Sequence, residues 1–178
     1  MNIIAICGSP RRGNTEFALR RFLTKAEEFG HKTELVLLRE RRVEHCSGCL
    51  SCDESGECSI MDDMKLIAER IQANDLIVFG SPNYFNNVSG IMKDFFDRLN
   101  PVYKSKSFAE KKMISLCIGA SDNRTYPEKI AAVMESVAEL LKLDFIGDFY
   151  LVARAPQDVE NNPESIQKID EFAKNILS

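Results

Sequence analysis

No apolar run in this sequence approaches the roughly 18 residues needed to cross a bilayer, which excludes a membrane-spanning helix. Nor is there a basic excess. The formal net charge is −4, which argues against nucleic acid or an anionic membrane as a main partner. The opening "MNIIAICGSP" has neither a basic leader nor a small-residue cleavage site, so no signal peptide is expected and the chain is read as cytoplasmic. Internal repeats, low-complexity tracts and linkers are also missing. With 178 residues, 44% of them hydrophobic and 28% charged, this describes a single domain over 1–178. A chain of that length buries about two-thirds of its unfolded surface around one core.

Against that plain background one stretch is rich. "CSGCLSCDESGEC" (46–58) gathers four of the six cysteines with the spacing C-x2-C-x2-C-x5-C. A disulfide knot, a zinc knuckle, a redox-active dithiol and an iron–sulfur cluster are the chemistries it can serve. In a reducing cytosol, clustered cysteines are more often metal ligands or redox groups than structural bridges. Bridges within C-x2-C pairs would also close loops too small to add much stability. Cys7 and Cys117 fall in apolar strand patterns and are read as small hydrophobes.

Strand and helix signals alternate from end to end. Short β-branched apolar runs at 3–7, 33–38, 75–80, 112–119 and within 144–153 read as strands. Between them, apolar residues recur at helical spacing over 15–29, 61–74, about 89–99 and up to Leu141, the last behind the capping-box pair Thr125 and Glu128. Asn162 followed by Pro163 starts a final helix. Five βα units in succession predict an α/β fold, a parallel sheet with helices on both faces. Compact length and five strands favour the flavodoxin-like three-layer sandwich, order 2-1-3-4-5. In such sheets ligands sit beyond the carboxyl ends of the strands, where the order reverses. The longest irregular stretch, 39–60, holds the cysteines; loops of that length are usually functional.

Three loops therefore matter. "GSPRRGNT" (8–15) lacks both the G-x-G-x-x-G fingerprint and the Lys-Ser/Thr ending of a P-loop. It still has the parts of an anion site. Ser9, Asn14 and Thr15 supply side-chain donors, Gly13 allows close backbone approach, and Arg11 and Arg12 add charge at a helix N-terminus. In "SPNYFNNVSGIMKDFFDR" (81–98), Pro82, Asn83, Tyr84 and Phe85 combine aromatic faces with amide donors, which suits a flat heteroaromatic ring. The plainer alternatives are a tight turn with solvent-facing arginines and aromatics that merely cover the core. "GASDNRTYPE" (119–128) is a candidate third wall.

At these residues the chain resembles the NADPH-dependent FMN reductase superfamily, and within it the iron–sulfur flavoproteins. The resemblance is close from the first strand to about residue 100 and topological beyond it. It implies that Ser9, Arg11, Arg12, Asn14 and Thr15 hold an FMN phosphate, and that Pro82, Asn83, Tyr84 and Phe85 line the flavin. It also implies a [4Fe-4S] cluster on Cys46, Cys49, Cys52 and Cys58, and a homodimer or homotetramer. The function implied is electron transfer between a ferredoxin-type donor and an acceptor, with no side chain acting as catalytic base or nucleophile. The alternative is a cluster-free NAD(P)H-dependent reductase of FMN or quinones. A third reading is a docking module with zinc on its cysteines. The spacing itself favours the cluster over zinc. Ferredoxins use C-x2-C-x2-C for three corners of a cube, whereas zinc sites join two separated pairs. The run "RERR" (39–42) is a candidate for steering an acidic donor, with a solvated face as the plainer reading.

Overall fold

The apolar run near the N-terminus forms the middle of the sheet. Ile3, Ile4, Ala5, Ile6 and Cys7 are all fully buried, as a strand covered on both faces requires. In this computed structural model, which describes residues 1–123 and 125–178, five strands pair in parallel. They are β1 (Asn2–Cys7), β2 (Lys32–Leu37), β3 (Leu76–Pro82), β4 (Lys112–Gly119) and β5 (Asp144–Val152). Their order is β2-β1-β3-β4-β5, as the alternation predicts.

Among the described residues the helices are α1 (Asn14–Glu28), α2 (Ser51–Ser55), α3 (Met64–Gln72), α4 (Gly90–Asp97), α5 (Asn100–Ser105), α6 (Thr125–Leu141) and α7 (Pro163–Leu177), with a 3-10 turn at Leu38–Glu40. Because side chains alternate along a strand, the sheet carries two cores. On one face Phe22 of α1 and Ile169 of α7 pack with Ile3, Ala5, Val78 and Leu116. On the other, Ile67 of α3, Phe95 of α4 and Met134 of α6 pack with Ile4, Ile6, Ile77 and Phe79. The result is three layers.

Local signals explain the element ends. Asn162 caps α7, accepting from the Glu164 and Ser165 amides, with Pro163 at the first helical position. Thr125 departs from the expected cap: it is already helical, and its amide donates to Asn123 Oδ1 at 3.2 Å. The short helices α2 and α5 are too brief to announce themselves by periodicity. Among the described residues no helix is long and apolar enough to cross a membrane.

The register places the loops. Cys7 pairs with Gly80, Pro82 with Ile118 and Gly119 with Val152, so the loops after β1, β3, β4 and β5 leave one sheet edge together. The order reverses between β1 and β3, and the cysteine stretch leaves the same edge from neighbouring β2.

Candidate functional site

Close backbone contact brings the first two loops together. The Gly8 amide donates to the Gly80 carbonyl at 2.7 Å, and the Ser89 hydroxyl donates to the Gly8 carbonyl. A Cβ on Gly8 would stand 2.7 Å from Met92 Cβ, so only glycine permits this approach. Beside that contact lies a cleft of about 140 Å³. The first loop lines it with Ser9, Arg11, Asn14 and Thr15, and the second with Pro82, Asn83 and Tyr84. Gly119, Ala120, Ala153 and Arg154 close it from β4 and β5.

Seven of the nine residues expected around a flavin thus share one cleft, and two do not. Arg12 is exposed and lines an adjoining groove with Glu16, Phe17 and Gln157. Phe85 is fully exposed at the tip of a two-residue turn, where Tyr84 and Asn87 exchange both backbone hydrogen bonds. Phe85 and Asn86 have φ of 52° and 63°, the left-handed pair such a turn needs. Asparagine accepts that conformation readily and phenylalanine does not.

The polar groups of the cleft differ in freedom. The sequence offers Asn14 as a side-chain donor for an anion, but its amide is already engaged. Its Nδ2 donates to the Ala155 carbonyl at 2.8 Å and its Oδ1 accepts from the Val159 amide at 3.1 Å, so it ties α1 to the loop after β5. Ser9 bonds within its own loop, donating to the Arg11 carbonyl at 2.6 Å. Asn83 Nδ2 reaches the Tyr126 carbonyl at 3.5 Å, while its Oδ1 is buried with no partner among the described residues. Arg154 was not foreseen. It is held by Nε donating to the Ala120 carbonyl at 3.0 Å, and a parallel sheet implies that the loop after β5 belongs to this edge. Glu16, on the adjoining groove, is a buried acid. Burial pushes its carboxyl up, but the guanidinium groups of Arg20 and Arg39 outweigh that and hold it below its ordinary value.

The cysteine loop is fastened at its neck. The Asp63 amide donates to the Arg42 carbonyl at 2.9 Å, and the Arg42 amide donates to Asp63 Oδ2 at 2.8 Å. The Glu44 amide donates to Asp62 Oδ2 at 2.9 Å, and Asp62 is paired with Arg98 from the end of α4. Beyond the neck the thiols have unequal surroundings. Cys46 and Cys49 are exposed, Cys52 and Cys58 half-buried, and all six cysteines are free. The hydroxyls of Ser51 and Ser59, at 3.3 and 3.5 Å, bring the Cys49 thiol down to about 6. Burial pushes Cys7 up to about 11 and Cys117 up to about 12, which keeps both inert. Among the described residues, no three or more His, Cys, Asp or Glu side chains stand together as a metal group, so the four thiols are neighbours in the chain without converging on one point. Of the basic run, Arg39 is spent on Glu16 and Arg42 on Glu44, so it offers less free charge than the sequence suggests. Between the loop, α3 and α5 lies a second cavity of about 420 Å³, lined by Cys58, Met61, Met64, Lys65, Val102 and Arg98 among others.

Comparison with known proteins bears on both features. The family model of NADPH-dependent FMN reductase matches residues 1–151. An iron-sulfur flavoprotein of Archaeoglobus fulgidus is 40% identical over 98 residues, which are 55% of this chain and 48% of the relative. An iron-sulfur flavoprotein of Methanosarcina thermophila is 34% identical over 136 residues, covering 75% of this chain and 71% of that one. The chain therefore spans about half the length of the first relative and nearly three-quarters of the second. Among solved structures, an NAD(P)H:quinone oxidoreductase from Methanothermobacter marburgensis superposes with a TM-score of 0.76 at 19% identity, covering 100% of this chain and 98% of that one.

Proposed function

We propose, from the premise that this chain belongs to the NADPH-dependent FMN reductase family and within it to the iron–sulfur flavoproteins, that it is an FMN-dependent electron-transfer oxidoreductase. The observation that carries the reading is the cleft where loops 8–15 and 82–84 meet, with Arg11 and Arg154 on its wall. The residues present fit FMN. The N-terminus of α1 and two guanidinium groups suit a phosphate dianion, and Asn83 Oδ1 is an orphaned acceptor suited to a ring N–H. At about 140 Å³ the cleft encloses a phosphate and its chain rather than a whole flavin, since pockets for molecules of that size run to roughly 300–1,000 Å³. The Pro82–Tyr84 segment and the exposed Phe85 beside it would offer the ring its surface, one that a homodimer or homotetramer would cover.

The donor set fits a [4Fe-4S] cluster: Cys46, Cys49, Cys52 and Cys58 are four soft thiolate ligands on one loop, and Cys52 already accepts from Asn100 Nδ2. When bound, the cluster supplies single-electron transfer and FMN supplies one- and two-electron steps. The chain's own residues bind and orient. Arg11 and Arg154 hold charge, Asn83 fixes a ring edge, and Asn14 keeps the loop after β5 in place. With both groups held by these residues, the chain would serve electron transfer between a ferredoxin-type donor and an acceptor. The second reading, a cluster-free NAD(P)H-dependent reductase of FMN or quinones, is favoured by the thiols' lack of convergence. Purification without oxygen, with iron, sulfide and flavin counted per chain, decides between them. Four irons and one FMN are expected. FMN without iron or sulfide, with flavin bleached directly by NAD(P)H, would establish the second reading. Protein that binds no FMN would overturn both.

A further inference from the structure

Four cysteines in a row say nothing about what meets their sulfurs, and the fold answers that from a distance. Asn100, the first residue of α5, donates from Nδ2 to Cys52 Sγ at 3.0 Å and lies 3.0 Å from Asp53 Oδ1. One turn on, Lys104 pairs with the same Asp53 at 3.2 Å. Helix α5 thus grips α2 through an amide and an ammonium. Two residues before Asn100, Arg98 is 3% exposed and lines the same cavity as Cys58. Its Nε has no partner among the described residues. Cys46 and Cys49 stand differently: both are exposed, and the Cys49 sulfur meets serines of its own loop rather than the α4–α5 junction. The thiols divide into an inner pair against the α4–α5 junction and an outer pair at the surface.

We infer that Asn100 is a positioning residue for the sulfur cage, holding Cys52 against the body of the protein and placing an N–H donor on that sulfur when it is a cluster ligand. Arg98 stands on the Cys58 side, its Nη groups engaged by Asp62 and its Nε left without a partner among the described residues. This rests on the four-thiolate reading above. Donors aimed at a ligating sulfur favour the more negative, reduced state, so hydrogen bonding to the sulfurs helps set a cluster's potential. Asparagine suits the place because its amide nitrogen carries two hydrogens, one for the sulfur and one for Asp53. The outer pair, exposed and untouched by the α4–α5 junction, is the side from which a redox partner reaches the cage.

Two measurements test it, on wild type, Asn100→Leu, which keeps the bulk and removes the donor, and Asn100→Gln, which keeps the amide. After anaerobic reconstitution with ferrous iron and sulfide, each is titrated redox-wise by its visible charge-transfer absorption. At a fixed ambient potential the reduced-to-oxidised ratio of Asn100→Leu is expected to fall about tenfold, equivalent to about 59 mV for one electron. Asn100→Gln should recover most of it. In metal-free protein, iodoacetamide labelling at a pH high enough to ionise ordinary thiols, so that access sets the rate, should be mapped by mass spectrometry and show Cys52 reacting several-fold faster in Asn100→Leu, with Cys49 unchanged. Bound iron with an unmoved potential and unmoved Cys52 labelling overturns the role of Asn100 while leaving the cluster standing. Wild type that takes up no iron overturns the four-thiolate reading and the tuning with it. The labelling arm then still decides whether Asn100 holds Cys52.

Discussion

Arg98 and Asp62 form a two-point ion pair, Nη1 to Oδ2 at 2.6 Å and Nη2 to Oδ1 at 3.0 Å, with side chains 1% and 0% exposed. The same guanidinium donates to the Glu44 carbonyl at 2.8 Å, so one buried arginine pins both arms of the cysteine loop to the end of α4. Removing one partner of a buried pair leaves the other charged and uncompensated, which costs about 3–5 kcal/mol. Asp62→Ala should therefore lower the urea midpoint sharply at neutral pH, and limited proteolysis should cut first within 46–58.

The pair also sets an acid limit. Burial pushes the Asp62 carboxyl up, but Arg98 and the amides of Glu44 and Met64 outweigh it and leave it below its ordinary value. A carboxyl held low in the folded state contributes stability above its unfolded pKa and loses it as pH falls through the folded one. Urea midpoints of wild type should fall as pH drops below about 4, the ordinary carboxyl value. Asp62→Asn should show a shallower fall over the same interval, and equal slopes would refute the assignment.

Arg11 and Arg154 face the cleft whereas Arg12 does not, and this separates three otherwise similar arginines. A hydrogen bond to a charged partner is worth about 1.5–3 kcal/mol, so Arg11→Ala and Arg154→Ala should each weaken FMN binding by about one to two orders of magnitude. Arg12→Ala should change it less than threefold at moderate salt. Quenching of flavin fluorescence on titration reads all three. A larger loss for Arg12→Ala than for the other two would put the phosphate in the groove beside Arg12 instead.

Much of this was legible beforehand because the informative patterns are local. Buried strands such as 3–7 announce themselves as apolar runs, and the repeated βα grammar fixes which edge carries the loops. What stayed hidden depends on tertiary neighbours. Asn14 has the right chemistry for an anion, yet its amide is consumed by Ala155 and Val159, 141 and 145 residues away. Arg154 looked like any surface arginine until β5 paired beside β4. The Asn100 contact with Cys52 joins two helices of six and five residues, too short for any period to show.

Phe85 combines full exposure with a φ of 52°, so the native state gains neither burial nor an easy backbone from it. A left-handed conformation costs an ordinary residue roughly 1–2 kcal/mol, and Gly or Asn much less. Phe85→Gly should raise the melting temperature of the flavin-free protein, about 2–4 °C per kcal/mol for a chain of this size. The same variant should bind FMN more weakly if the ring lies over this tip. A rise in stability with unchanged flavin affinity would mean that Phe85 serves another surface, and chain association measured by sedimentation would then be the readout that moves.

Gly119 ends β4 where Tyr150 from β5 leans across the backbone. A Cβ there would fall 1.7 Å from the Tyr150 hydroxyl oxygen and 2.6 Å from its ring carbon, so even alanine forces the phenol to move. That phenol is partly buried, which pushes its pKa up, and its hydroxyl lies 3.4 Å from the Ser121 carbonyl. The third wall of the cleft is therefore shaped by the absence of a side chain. Gly119→Ala should weaken FMN binding while leaving the sheet intact by circular dichroism. Pairing it with Tyr150→Ala should recover part of the loss, because the clash then has no partner. Loss of affinity that Tyr150→Ala does not relieve would put the obstruction in the cleft itself, at the surface the flavin uses.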